Sequence, residues 1–127
     1  MSNDTALHLE YGSHRSWHAL VLGRAGLDLY PKPDGAKIHD AESFSSDLGG
    51  SAGNAALAIA KVGAKAGLIS ALSDDSVGEF VRQRLRHSGV DISLIIITTG
   101  NQHTSLALAE VRNEDCEVWS SIESVPC

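Results

Sequence analysis

Leu48-Gly49-Gly50-Ser51-Ala52-Gly53-Asn54-Ala55-Ala56 packs three glycines into six residues and then turns alanine-rich. Glycines remove the Cβ from a turn, so the N–H groups of Gly49 and Gly50 can come close to a ligand. From about Asn54 to Val62 the chain reads as a helix, with Gly63 where a left-handed residue closes a C-terminus. Ala55, Ala56, Ala58 and Ala60 keep that helix slim on nearly every face, so its axis can approach a sheet closely.

Before this stretch, Ala19-Leu20-Val21-Leu22 is a short apolar run closed by Gly23, the pattern of a buried strand. Tyr30-Pro31-Lys32-Pro33-Asp34-Gly35 is turn chemistry, and Lys37 to Phe44 fits either a half-exposed strand or a loop. After it, Leu68 to Leu72 is a second apolar run. Ser76-Val77-Gly78-Glu79 fits a capping box with Ser76 as the cap. Val77, Phe80, Val81 and Leu85 then form one apolar stripe, with Arg82, Gln83, Arg84 and Arg86 expected to face water and Gly89 ending the helix. Leu94 to Ile97 and Ser105 to Val111 are further apolar runs. Strand, helix, strand, helix, strand is a βαβ rhythm, so the fold class is α/β with a parallel sheet.

The 127 residues are 43% hydrophobic and 20% charged, which suits a globular domain rather than a disordered chain. A net charge of -6 offers no basic field for nucleic acid or an anionic membrane. No apolar run approaches the ~20 residues that span a bilayer, and His8, Glu10, His14 and Arg15 interrupt any signal-like stretch, so the sequence reads as cytoplasmic. Two cysteines, Cys116 and Cys127, and six scattered histidines give no metal-ligand spacing, and no metal site is expected.

In open α/β sheets, ligands lie beyond the carboxyl ends of strands. Two loops qualify, Gly23 to Asp28 and Gly49 to Asn54. Asp28 supplies a charged acceptor and Asn54 both donates and accepts. A carboxylate bond to a hydroxyl contributes roughly 1.5–3 kcal/mol and a neutral one about 1, so several together select a polyol. The plainer alternatives are a tight ligand-free connection, Asn54 as an N-cap, and Asp28 as a solvated turn residue. Asp74 and Asp75 stand where they would serve the dipole of the next helix rather than a cation. A Walker loop is excluded, and Gly50 to Gly53 do not complete a dinucleotide fingerprint.

Gly23-Arg24-Ala25-Gly26-Leu27-Asp28-Leu29-Tyr30-Pro31, Gly49 to Ala56 with Gly63, Ser73-Asp74-Asp75-Ser76-Val77-Gly78 and Gly89-Val90-Asp91 occur in that order. Together they resemble the N-terminal part of PfkB-type, ribokinase-like carbohydrate kinases, over about Leu20 to Val118. The Gly-Arg-Ala run is most similar to the 5-dehydro-2-deoxygluconokinase branch. The resemblance implies a ribokinase-like fold, and Asp28, Gly49, Gly50 and Asn54 binding a sugar or sugar acid. It also implies that residues 30–48 form part of a small β lid, and it leaves homodimerisation through that lid open. Ser73 replaces the family's usual glycine, and Gly26 stands where ribokinases often carry a polar sugar ligand.

The family's catalytic aspartate lies in a C-terminal Gly-Ala-Gly-Asp element that residues 1–127 lack. The resemblance therefore assigns no catalytic residue here. ATP and Mg2+ belong to the full-length family, and neither is expected to bind this chain well. Residues 1–17 read as a polar arm, 18–118 as the substrate-binding part, and 119–127 as a family-atypical tail. The expectation is a truncated kinase half, inactive alone, with an open strand edge and a bare apolar face. A non-catalytic sugar-binding or interaction module is the alternative, and a small nucleotide-binding Rossmann unit a third reading.

Overall fold

The computed structural model describes residues 16–112 and 115–122. Its elements run β1 (Ala19–Leu22), β2 (Gly26–Lys32), a 3-10 turn (Ile38–Asp40), β3 (Ser43–Gly49), α1 (Ser51–Lys61), β4 (Ala66–Ser73), α2 (Ser76–His87), β5 (Ile95–Thr98), β6 (Ser105–Arg112) and β7 (Asp115–Ile122). The tail residues 123–127 and most of the expected N-terminal arm, residues 1–15, lie outside the described residues. Among the described residues no helix is long and apolar enough to cross a membrane.

Two sheets form. β1, β4 and β5 make a parallel sheet in the order β1-β4-β5. The second has the order β3-β2-β6-β7, antiparallel at both outer pairs and parallel between β2 and β6. The expected lid is therefore wider than residues 30–48, because β6 and β7 belong to it. The tail's first residues, 119–122, continue β7.

Four local expectations are corrected. Tyr30 and Pro31 are strand rather than turn, so the bend starts only after Lys32. Lys32 O accepts from Glu42 N in the β3 direction, so the nitrogen of Pro31 faces the opposite side. β6 pairs only with Gly26 to Leu29, so the N–H that Pro31 lacks leaves no ladder bond broken. α1 starts at Ser51, three residues before the expected point, with Gly50 as its N-cap. α2 is capped by Asp75, whose Oδ1 accepts from Gly78 N at 2.8 Å, while Glu79 turns to Arg82 and Gln83 instead of closing a box with Ser76. Arg82 is also not on the wet face. Its side chain is only 12% exposed and donates to Ser73 O.

The core is one cluster. Leu68 and Leu72 of β4 meet Ala52 and Ala56 of α1, Val81 and Leu85 of α2, and Leu27 and Leu48 of the lid strands. Burying side chains such as Leu68 and Leu85 stabilises the fold by roughly 1.5–3 kcal/mol each. At the start of the parallel sheet Trp17 lies against Gly67 and donates to Asp91 Oδ2 at 2.7 Å.

A buried hydroxyl pair joins the sheets. Ser73 N donates to Thr104 Oγ1 at 2.8 Å, Thr104 N donates to Ser73 Oγ at 2.9 Å, and the two hydroxyls lie 2.8 Å apart. The Ser73 hydroxyl thus makes two contacts with Thr104 that glycine could not.

Candidate functional site

The chain passes from the parallel sheet to the lid at Gly23–Ala25 and returns at Gly49–Gly50, and these two crossings touch. Gly50 has φ +86°, which L side chains rarely adopt, and a Cβ there would stand 2.4 Å from Arg24 O. Gly53 N donates to that same carbonyl at 3.2 Å. A main-chain oxygen from another loop therefore takes the place of a capping side chain at the start of α1. Gly53 also leaves room for Ala25, whose Cβ would lie 3.0 Å from an added methyl.

Gly49 serves a different need. A Cβ there would land 2.1 Å from Asp28 Oδ1, so the Asp28 carboxylate lies across this glycine. Asp28 and Asp47 are register partners on β2 and β3. Burial pushes the Asp28 carboxyl above its ordinary value; the nearby Arg24 charge and the Tyr30 hydroxyl oppose this, and Asp47 adds to it. Tyr30 Oη is 3.5 Å from Asp28 Oδ2, at the limit of a hydrogen bond. A half-buried carboxylate beside small backbone is suited to accept hydroxyl donors from a ligand.

Asn54 is exposed on α1, and its own N–H donates to Gly50 O at 3.0 Å. Since Gly50 occupies the N-cap, Asn54 does not cap the helix, and its side chain stands exposed in the first turns of α1. Asp28, Gly49 and Gly50 are thus drawn together around the touching crossings, and Asn54 stands one turn further along α1. At Gly26 a side chain would meet Ser105 Oγ at 2.3 Å, so the residue pairs tightly with β6 and leaves no room for a polar ligand group.

One concavity lies outside the expected set. Tyr30, Lys32, Asp34, Ser45 and Val111 line a cavity of about 630 Å³ on the lid. Alternation puts Asp28, Tyr30 and Lys32 on one face of β2, with Ser45 opposite Tyr30. Reading Tyr30-Pro31 as turn concealed this row, which the two-residue period of a strand would have exposed. Lys32 forms an ion pair with Asp34. Asp74 and Asp75 border a smaller cavity with His103, and hydrogen bonding to Gly78 holds the Asp75 carboxyl below its ordinary value. Among the described residues no group of three or more His, Cys, Asp or Glu could hold a metal ion.

Comparison with known proteins gives the fold and the family. The chain is 38% identical over 104 residues to a 5-dehydro-2-deoxygluconokinase of Photobacterium profundum, covering 82% of this chain and 31% of that protein. It superposes on the crystal structure of 2-dehydro-3-deoxygluconokinase from Thermotoga maritima with a TM-score of 0.71 at 24% identity, covering 82% of this chain and 31% of that one. It also superposes on fructokinase with bound ATP from Xylella fastidiosa, with a TM-score of 0.65 at 25% identity, covering 80% and 32%. The chain spans about a third of the length of the curated relatives it matches. The sheets are those of the N-terminal part of a ribokinase-like fold. A profile for the pfkB family carbohydrate kinases matches residues 18–120, and the chain belongs to that family.

Proposed function

We propose that this chain is the sugar-holding part of an ATP-dependent kinase that phosphorylates a hydroxyl of a sugar or sugar acid, of the 5-dehydro-2-deoxygluconate kind. Asp28 and Asn54 hold hydroxyls, Gly49 leaves the Asp28 carboxylate its place, and Gly50 lets the two crossings close up so that main-chain N–H groups stand near the sugar. The observation that carries this reading is the Asp28 carboxylate laid across Gly49, beside the first turn of α1. The relative named above supports the choice of substrate. A cytoplasmic location and pairing of lids between two copies are part of the same proposal.

ATP with Mg2+ would supply the phosphoryl group and neutralise its charge. The described residues do not fit it. The N-terminus of α2 is occupied by the Asp75 carboxylate with Asp74 and Glu79 beside it, a field that repels phosphate. The start of α1 is filled by the Arg24 carbonyl and faces Asp28. No step is therefore assigned to these residues, and the chain alone is expected to transfer no phosphate.

Calorimetric titration with 5-dehydro-2-deoxygluconate tests the reading. Binding that Asp28→Ala weakens by about tenfold or more supports it, because a charged hydrogen bond contributes roughly 1.5–3 kcal/mol. Equal affinity for wild type and variant overturns it. The second reading, a non-catalytic sugar-binding module, draws on β7, which carries the tail to Ile122 as a paired strand. Phosphoryl transfer on adding the rest of a kinase separates the two.

A further inference from the structure

The cavity of about 630 Å³ on the lid adjoins the Asp28 site, and among the described residues that line it Lys32 is the one cation. Tyr30 belongs to both spaces: it lines the cavity, and its hydroxyl lies 3.5 Å from Asp28 Oδ2. Asp28, Tyr30 and Lys32 follow one another on one face of β2, so Asp28 and Lys32 are about 13 Å apart along the strand at roughly 3.3 Å per residue. The flexible stem of Lys32 can carry its ammonium part of the way back, which leaves room between the two charges for a small sugar acid.

The charges along this row differ from end to end. At its base Asp28 and Asp47 are register partners, two carboxylates side by side, and a ligand carboxylate is repelled there. Arg24 is also near this end, and its charge acts on Asp28. At the far end the Lys32 ammonium pairs with Asp34, so it already holds a carboxylate. The two side chains are 42% and 88% exposed, and a pair so open to water adds little stability. A ligand carboxylate can therefore displace Asp34 at little cost. The walls suit the rest of such a molecule, because Tyr30 and Ser45 offer hydroxyls and Val111 an apolar surface. We infer that Lys32 selects a sugar acid over a neutral sugar: its ammonium takes the substrate carboxylate at one end of the row while Asp28 takes a hydroxyl at the other, with Tyr30 between them. Lys32 is thereby a specificity-determining residue with no part in phosphoryl transfer. The inference rests on the proposed function for the Asp28 end, and the test separates the two.

Calorimetric titration of the chain with 5-dehydro-2-deoxygluconate and with the neutral primary amide of the same acid reads the selection as a ratio of affinities. The wild type should favour the acid by about tenfold or more, as a charged hydrogen bond would. Lys32→Met keeps the stem and removes the charge, so it should bring the ratio close to one while leaving the amide's affinity within about twofold. Lys32→Arg should restore the preference, since a guanidinium also pairs with a carboxylate. Asp34→Asn should raise affinity for the acid a few-fold by removing the competing carboxylate. Circular dichroism checks that each variant keeps its fold, which the exposure of both side chains favours. A ratio unchanged by Lys32→Met overturns the inference, and a ratio erased by Arg24→Gln instead overturns it in favour of Arg24. Equal binding of acid and amide that Asp28→Ala weakens leaves the proposed function standing and refutes the role of Lys32. A preference that Lys32→Met erases but Asp28→Ala leaves intact, with affinity unchanged, does the reverse. Binding of neither ligand refutes both.

Discussion

Gly49 and Gly50 are neighbours, yet alanine should act on them in opposite ways. At Gly50 the new Cβ meets main chain: it would lie 2.4 Å from Arg24 O and 2.9 Å from Ala25 Cα, with φ at +86°. Left-handed strain costs about 1–3 kcal/mol, and forcing the crossing apart adds about 1–3 more. The total is a large share of the roughly 5–15 kcal/mol that stabilises a domain, and at roughly 4 °C per kcal/mol the melting temperature should fall by about 8 °C or more. At Gly49 the clash is with the Asp28 side chain alone, Oδ1 at 2.1 Å and Cγ at 2.5 Å, and φ lies outside the left-handed region. Rotation of Asp28 relieves that contact, so stability should change by only about 1 kcal/mol or less. Ligand affinity should fall about 10- to 150-fold, the equivalent of one charged hydrogen bond. Urea unfolding and calorimetric titration of both variants read the two effects separately. Full sugar affinity in Gly49→Ala would refute the role given to Asp28. Wild-type stability in Gly50→Ala would refute the claim that the Arg24 carbonyl dictates the glycine.

Asp28→Asn should stabilise the fold at neutral pH while weakening sugar binding. The folded-state pKa of Asp28 is raised, so its contribution is most favourable below the ordinary value of 3.8 and is lost as pH rises through the raised value; paired thermal melts from acid to neutral pH check this. Asp75→Ala should cost about 0.5–2 kcal/mol through loss of the α2 cap, and Asp75→Asn much less, as urea midpoints would show. The wild-type advantage over Asp75→Asn should be present above 3.8 and disappear as pH falls through the lowered value. Ser73→Gly should cost about 1–3 kcal/mol, because Thr104 N and Oγ1 lose a partner in a buried site, with hydrogen exchange at Thr104 as the local readout. Leu68→Ala, at a fully buried position, should cost about 2–5 kcal/mol in equilibrium unfolding.

Sequence periodicity revealed the parallel sheet and its helices because their apolar residues recur at the spacing of their own elements. Val77, Val81 and Leu85 were visible in this way, as were β1 and β4. The lid was obscured for physical reasons. Pro31 is tolerated in β2 only because β6 stops short of it, a fact of pairing between distant segments. β3 is rich in serine and largely open to solvent, so its strand carries little apolar signal. The start of α1 was misplaced because its cap is a carbonyl from a distant loop rather than a neighbouring side chain. Asp28, Gly49 and Gly50 were legible as chemistry, but that each glycine clears a different obstacle is visible only in three dimensions.

The Ser73–Thr104 hydroxyl pair has a mechanical consequence. The chain crosses between the two sheets at Gly23–Ala25, at Gly49–Gly50 and in the segment 99–104 that leads into β6. The first two crossings are bonded to each other through the Arg24 carbonyl and act as one attachment. The third is bolted to the end of β4 by the hydroxyls. Leu27 and Leu48 also pack into the common core, and Arg84 of α2 donates to Ser46 O of β3. The base of the lid is therefore pinned at several points, which keeps Asp28 in register with the start of α1.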